Sequence, residues 1–416
     1  MKNIFTYLAV VTVMFITACS SDNFVTEDGE TRVKEGTEAA IHALESGDAS
    51  RSMLYLQDGK MHFEWNVGDR IAVYPKYVEG IDQPFDGIGT SQVQNLTYVS
   101  TVTSGKDGVV DGMFSVNSEK FVLYVENTTD FVAWTPSFPD PDDVTLIVPD
   151  RGYTDMLFSY QNQIQTANVQ MGHYVTGNAG EMAQYLESEK AASAHLGAYD
   201  YMYSEATQEN SGYTYFDFTH LQATVRFYMK IPDADSPQIF DSLIVYHKFD
   251  SDIDAYHFVT RGKFDLSTMQ AKELTTVSKV KLMLGSANGG MDLIDHEEGS
   301  TTKGKYKSDY ERSGGYYLIA YMQMYPVDIT MDDMQNPTLY LCGHTGSEAT
   351  GNLKKNFYKA RLEKKNILAG KWYQWATTLD EDQPIEFEVV SVQEWEADDT
   401  FYNTVNKQEG QGTQDW

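Results

Sequence analysis

Cysteine is nearly missing from this chain: 416 residues hold two, Cys19 and Cys342. A disulfide framework and any Cys-x-x-Cys pair are thereby excluded. Positive charge is scarce too, with 31 Lys and Arg against 61 Asp and Glu, a net charge of −30. Binding to nucleic acid depends on clustered cations that release phosphate counterions, so no nucleic-acid partner is expected. Such a charge suits a soluble, self-repelling surface outside the cell. The catalytic signatures His-Glu-x-x-His, Gly-x-Ser-x-Gly and the Walker A loop are absent as well. The acidic runs "PDPDDV" (139–144) and "DSDIDAY" (250–256) lack the ligand spacing and Gly of an EF-hand loop. No catalytic, cofactor or metal residue is therefore assigned, and weight moves from an enzyme toward a structural or binding role.

Long apolar runs are missing except at the start. Lys2 supplies a positive charge, and 4–16 is almost wholly apolar before Thr17, Ala18 and Cys19. A bilayer-spanning helix needs roughly 20 apolar residues, so the run reads as a cleaved signal peptide, 1–18. Ile16, Thr17 and Ala18 before Cys19 resemble a bacterial lipobox, which makes Cys19 the expected site of lipid attachment, palmitate included. Acylation of Cys19 leaves Cys342 unpaired and expected to act as a small buried hydrophobe. His344, two residues on, comes with no motif that makes the pair a nucleophile and base.

What is present points to strands. Gly is frequent, Pro is sparse, aromatic residues make up 13% and Tyr alone counts 28, a composition that favours β-strands and turns over helical bundles. Residues 19–51 are polar and read as a tether or leader, with 39–44 a candidate removable strand. From 52 onward the texture alternates. "MHFEWNVGDRIAVY" places Phe63, Trp65, Val67, Ile71 and Val73 on one face, with Gly68 and Asp69 permitting a turn. Similar strands follow at "VQNLTYVSTV", "KFVLYVE", "DFVAWTP" and "VTLIVP". The Ala- and Glu-rich stretch 180–203 predicts a short helical segment, and polar 207–215 places a domain boundary near 210.

The second half opens with "FDFTHLQATVRFYMKI", in which Leu221, Ala223, Val225, Phe227, Met229 and Ile231 hold one face and Phe216, Phe218 and His220 the other. That change of phase predicts a bulge or a strand buried on both faces. His220 is expected to be a hydrogen-bonded core residue, and His296 in "DHEEG" a loop residue without a metal. Strands at "SLIVYH", "KVKLML", "GGYYLIAYM", "TLYLCGH", "FYKARL" and "KWYQWATTL" complete the count. The expected fold is all-β, two tandem antiparallel β-sandwiches over 52–210 and 211–395, followed by a polar acidic tail, 396–416.

The lipobox at Cys19, "FEWNVGDRIAVY", "YDYMY" (199–203), "FDFTHLQATVRF" (216–227) and "LAGKWYQWATTL" (368–379) resemble, in their order and spacing, the fimbrillin family of Bacteroidales. That resemblance implies transthyretin-like sandwiches and export as a lipoprotein to the outer membrane. It also implies assembly with other fimbrial subunits. In polymerising members a trypsin-like or Arg-specific protease removes an N-terminal strand, and a neighbour's C-terminal strand fills the apolar groove left behind. Here Arg51 is the candidate processing site, Arg32 the alternative, and Ile385, Phe387, Val389, Val390 and Val392 the candidate donor strand. A shaft, anchor or tip position remains open. The alternative reading is a non-polymerising surface lipoprotein that binds host glycans or proteins through exposed aromatics.

Overall fold

The structure is a computed structural model. It describes side chains for 71, 132–135 and 156–376, apart from 175–176, 207–215, 217, 233–235, 248–257, 266–267, 287–288, 331–335, 348 and 363–365. For further strands within 23–155 and 377–394 it describes the backbone. Cys19, Arg51, Phe387, the tail 396–416, and the predicted strands at 120–126 and 144–149 lie outside the described residues.

The described chain is mostly β, with one short α-helix. Two sheets built largely from the second half face each other. One has five strands in the order Glu311–Arg312, Gly315–Met324, Ala223–Ile231, Lys371–Thr378, Glu388–Glu394. The other has seven, with Gln163–Gln165, Lys279–Leu284, Ile239–Tyr246, Thr338–Thr345, Lys354–Arg361 and Ile385–Glu386 along its path, and Met291–Asp292 beside Ile239–Tyr246. Ala223, Val225, Phe227, Met229 and Ile231 from the first sheet join Leu243, Val245, Leu282, Leu339, Leu341 and Ala360 from the second in one apolar core. Period-two alternation makes this possible, because every second side chain of each strand points inward.

An eight-stranded sheet gathers Ala40–Leu44, Arg70–Pro75, Leu96–Lys106, Val109–Val116 and Asp130–Thr135 with Met202–Thr207, Tyr213–Asp217 and Thr219–His220. A three-stranded sheet contributes to the core it shares: Asp155–Ser159 pairs with Phe258–Asp265, which pairs with Gln270–Val277. Met156, Phe158 and Phe264 pack there with Val132, Trp134, Tyr201 and Leu221, and the rings of Tyr203 and Phe264 lie 4.6 Å apart. A hairpin from beyond residue 210 thus completes a core that begins before it.

The strands predicted from alternation appear at Lys60–Trp65, Arg70–Pro75, Leu96–Lys106, Asp130–Thr135 and throughout the second half. The sheets are mixed, whereas purely antiparallel ones were expected. Ala223–Ile231 runs parallel to Lys371–Thr378, and Tyr213–Asp217 parallel to Ala40–Leu44. Parallel neighbours need a long crossover, and between Ile231 and Lys371 the chain builds most of the opposite sheet before returning.

"FDFTHLQATVRFYMKI" is not one strand. Tyr213–Asp217 and Thr219–His220 belong to the eight-stranded sheet, and after Leu221 and Gln222 the chain enters Ala223–Ile231 in the five-stranded sheet. The change of phase marks that crossing. Ala223–Ile231 is itself buried on both faces, since Thr224, Arg226 and Tyr228 are as shielded as the apolar row between them. What shields Arg226 includes the helix α1, Ala179–Ser193, with which it pairs. Its N-terminus is capped by Asn178, whose side chain accepts from the Gly180 and Glu181 N–H groups. Tyr185, Ser188, Glu189, Ala192 and Ser193 form its buried stripe, at helical spacing but largely polar.

Candidate functional site

Sheet edges, and the strands that occupy them, are where a β-protein can take up backbone partners. Each backbone N–H and C=O along an edge needs a partner or water, and an unprotected edge recruits other chains.

The strand Gly315–Met324 pairs with Ala223–Ile231 on one side and, near its start, with Glu311–Arg312 on the other. Beyond that short partner its outward backbone groups are closed by side chains. Asn168 donates to the Tyr317 carbonyl and accepts from the Ile319 N–H, at 3.0 and 2.9 Å. Gln165 donates to the Ile319 carbonyl and accepts from the Tyr321 N–H, at 2.7 and 2.8 Å. Gln163 donates to the Gln323 carbonyl and accepts from its N–H, both at 2.8 Å. His195 Nε2 lies 2.9 Å from the Tyr321 carbonyl, and since a carbonyl only accepts, Nε2 carries the proton. From the Tyr317 carbonyl to the Gln323 carbonyl, side chains take the place of a neighbouring strand. All three amides are buried. They reach this edge because Gln163–Gln165 runs parallel to Lys279–Leu284 in the opposite sheet and so bridges the side of the sandwich.

Above this edge lies a buried charge cluster. Arg226 sits in register between Tyr321 and Gln374 on its two neighbouring strands. Its Nε donates to the Tyr321 hydroxyl at 3.0 Å, one Nη to Gln374, and the other to Glu189 at 2.6 Å. Glu189 also accepts from the hydroxyls of Tyr185, at 2.5 Å, and Tyr321. Burial raises the Glu189 pKa against the opposing pull of Arg226 and the Tyr185 hydroxyl. The pair joins α1 to the centre of the five-stranded sheet.

His195 follows α1 in the turn Ala194–Tyr199. Burial lowers its pKa to about 4, with the Ala192 backbone opposing. His220 is buried, as its place in the alternation suggested, with Nδ1 2.7 Å from an Asp200 carboxylate oxygen that also accepts from Gln222. Gln222 in turn accepts from the Tyr201 N–H at 3.0 Å. These residues fasten the crossing between sheets.

The candidate leader occupies a telling place. Ala40–Leu44 lies inside the eight-stranded sheet, parallel to Tyr213–Asp217 and antiparallel to Val109–Val116. Arg32 is in a separate two-stranded ladder, Asn23–Val25 with Thr31–Val33. At the other end the donor candidates divide between two sheets. Ile385 is the register partner of Ala360, while Val389 and Val392, in the strand Glu388–Glu394, are the register partners of Trp375 and Tyr373, at the edge opposite the sealed one. Val390 lies at the register shift in that ladder.

Cys342 is half-buried on the outward face of Thr338–Thr345, less enclosed than expected. Burial raises its thiol pKa, with the Ser242 hydrogen bond and Lys281 opposing. His344 is turned to Asp241, 2.7 Å away. His296 is exposed and bonded to Asp292 at 2.7 Å. Among the described residues no group of three His, Cys, Asp or Glu is placed to hold a metal.

Sequence reasoning missed the amide seal and the Glu189–Arg226 pair. The first had a signal in "QNQIQ", where Gln163 and Gln165 alternate at strand period beside Asn168. The second had one in Arg226, a charge in the middle of a largely apolar strand.

No family model matches the chain, and no curated protein matches it. Solved structures do. A candidate cell adhesion protein from Bacteroides ovatus is 14% identical, with 88% of this chain and 100% of that one covered and a TM-score of 0.46. A fimbrial assembly protein from Parabacteroides distasonis is 8% identical, covering 86% and 98%, with a TM-score of 0.33. A fimbrial protein from Bacteroides ovatus is 10% identical, covering 85% of this chain and 51% of that one, with a TM-score of 0.27.

Proposed function

We propose that this protein is a non-enzymatic structural subunit of cell-surface fimbriae. In this reading it is exported as a lipoprotein on Cys19 to the outer membrane. It is then assembled with other subunits by protease-triggered strand exchange. The observation that carries the reading is the position of Ala40–Leu44. It is bonded on both sides within the eight-stranded sheet, yet lies N-terminal to Arg51. A cut after Arg51 severs the covalent link that keeps this strand in place. Its loss leaves Tyr213–Asp217 and Val109–Val116 with unpaired backbone groups facing a slot one strand wide. A strand from a neighbour restores those hydrogen bonds, with alternate side chains supplying specificity. The sealed edge at Gly315–Met324 fits the same scheme, because it leaves that side of the sandwich with few backbone groups to offer.

A second reading is a non-polymerising surface lipoprotein that binds glycans or host proteins. The observation favouring it is that the C-terminal strands are paired within their own chain. Intact mass and N-terminal sequence of protein recovered from its native cell surface separate the two. A chain starting at Ser52 without lipid is the result the subunit reading predicts. A chain starting at acylated Cys19 overturns cleavage at Arg51 and supports the second reading.

A further inference from the structure

The chain carries twice as many acidic as basic residues, yet 354–365, "KKNFYKARLEKK", holds six Lys and Arg and a single Glu. The strand Lys354–Arg361 turns Tyr358 and Ala360 into the core and Lys355, Phe357, Lys359 and Arg361 outward. Register extends that outward face across four strands. Lys359, Tyr340, Ile244 and Lys281 form one row, Phe357, Cys342, Ser242 and Met283 the next, and Arg361, Thr338, Tyr246 and Lys279 a third. Four strands at about 4.8 Å spacing put Lys359 and Lys281 roughly 14 Å apart across the sheet, with rings and aliphatic side chains between them. Phe357 is 70% exposed, the most exposed of the large hydrophobic side chains described. Lys279, Lys281, Lys355 and Lys359 form no ion pair with a described residue. Asp241, engaged by His344, is a carboxylate at its border, and the backbone of Glu386 is the register partner of Arg361.

We infer that this outer face of the seven-stranded sheet is a docking surface for an acidic polysaccharide, one bearing sulfate or uronate groups. Lysines without a described carboxylate partner, in a strongly acidic protein, create a local positive field where anions collect. A protruding Phe between Lys355 and Lys359 gives an apolar platform for a sugar ring, which an anion site alone does not require. An acidic protein segment satisfies the lysines but has no particular use for that platform. Single-stranded nucleic acid also stacks on such platforms, and oligo-dT is therefore one of the probes that can overturn the inference. The inference is independent of strand exchange, because it uses the face of the sheet and not its edges.

The test uses the full uncut chain, with heparin, hyaluronan, poly-glutamate and oligo-dT as probes at 0.05 and about 0.15 M salt, the latter giving a Debye length of about 8 Å. Heparin is expected to bind most tightly, with affinity falling as salt rises. The double variant Lys281→Glu, Lys359→Glu is expected to lose about tenfold or more, and Phe357→Ala to weaken heparin while leaving poly-glutamate unchanged. Both substitutions lie on the solvent face, and unchanged thermal unfolding confirms that the variants fold. Equal binding of poly-glutamate with no effect of Phe357→Ala overturns the inference in favour of an acidic protein partner. Tighter binding of oligo-dT, or no heparin binding at either salt concentration, also overturns it. None of these outcomes bears on whether the chain polymerises after cleavage.

Discussion

Glu189 and Arg226 meet at 2.6 Å, both shielded from solvent, and tie the one described α-helix to the central strand of the five-stranded sheet. The guanidinium is also bonded to Tyr321 and Gln374 in its own sheet row. Removing either partner leaves the other charged and buried. Arg226→Leu or Glu189→Leu is therefore expected to cost about 3–5 kcal/mol in urea unfolding. The double variant Glu189→Leu, Arg226→Met recovers much of that loss, since it leaves neither charge stranded. Equal damage in the single and double variants contradicts the coupling.

The amide seal predicts a sharper chemical effect. Gln165→Glu keeps an acceptor for the Tyr321 N–H but cannot donate to the Ile319 carbonyl at neutral pH. The expected cost is about 1–3 kcal/mol or more. Protonation restores a donor, so part of the loss is regained toward acid pH. Gln165→Ala instead releases both groups, and amide exchange at Tyr321 quickens in that variant.

His195 sets a pH dependence whose sign follows from its lowered pKa. The folded chain binds a proton at about pH 4, and the unfolded chain near the ordinary imidazole value of about 6.5. Below that value the unfolded state takes up more protons, so stability falls as pH drops from about 6.5 toward 4 and this loss levels off below. The shift corresponds to about 3 kcal/mol. Urea midpoints of wild type and His195→Gln at pH 7.5 and 4.5 check it, since the variant keeps a donor for the Tyr321 carbonyl and should show a smaller drop.

Cys342 is expected to be a sluggish thiol. Its pKa is raised chiefly by burial, so less thiolate is present at pH 8 than in a free cysteine. Alkylation in a Cys19→Ser background should be several-fold slower than for a small thiol, and slower again in Lys281→Glu, which removes a charge that favours the thiolate.

Strand positions were legible because alternation is a local property, and 239–246 and 338–345 show it plainly. The helix was legible from composition. The crossing at 221–222 was not, because a change of phase looks alike whether one strand bulges or the chain passes to another sheet. Nor was the burial of Arg226. Period two places it opposite the core, and only α1, some 40 residues upstream in the chain, decides that this face is dry. The leader strand was anticipated at 39–44, but its neighbours, Tyr213–Asp217 and Val109–Val116, are set by tertiary pairing.

The central claim is that Ala40–Leu44 is a placeholder strand. Sedimentation velocity of the folded chain, before and after a single cut following Arg51, tests it most directly. The account predicts a monomer before the cut and concentration-dependent multimers after it, inhibited by an added peptide spanning 385–395. A cut chain that releases its leader and remains monomeric at high concentration contradicts it.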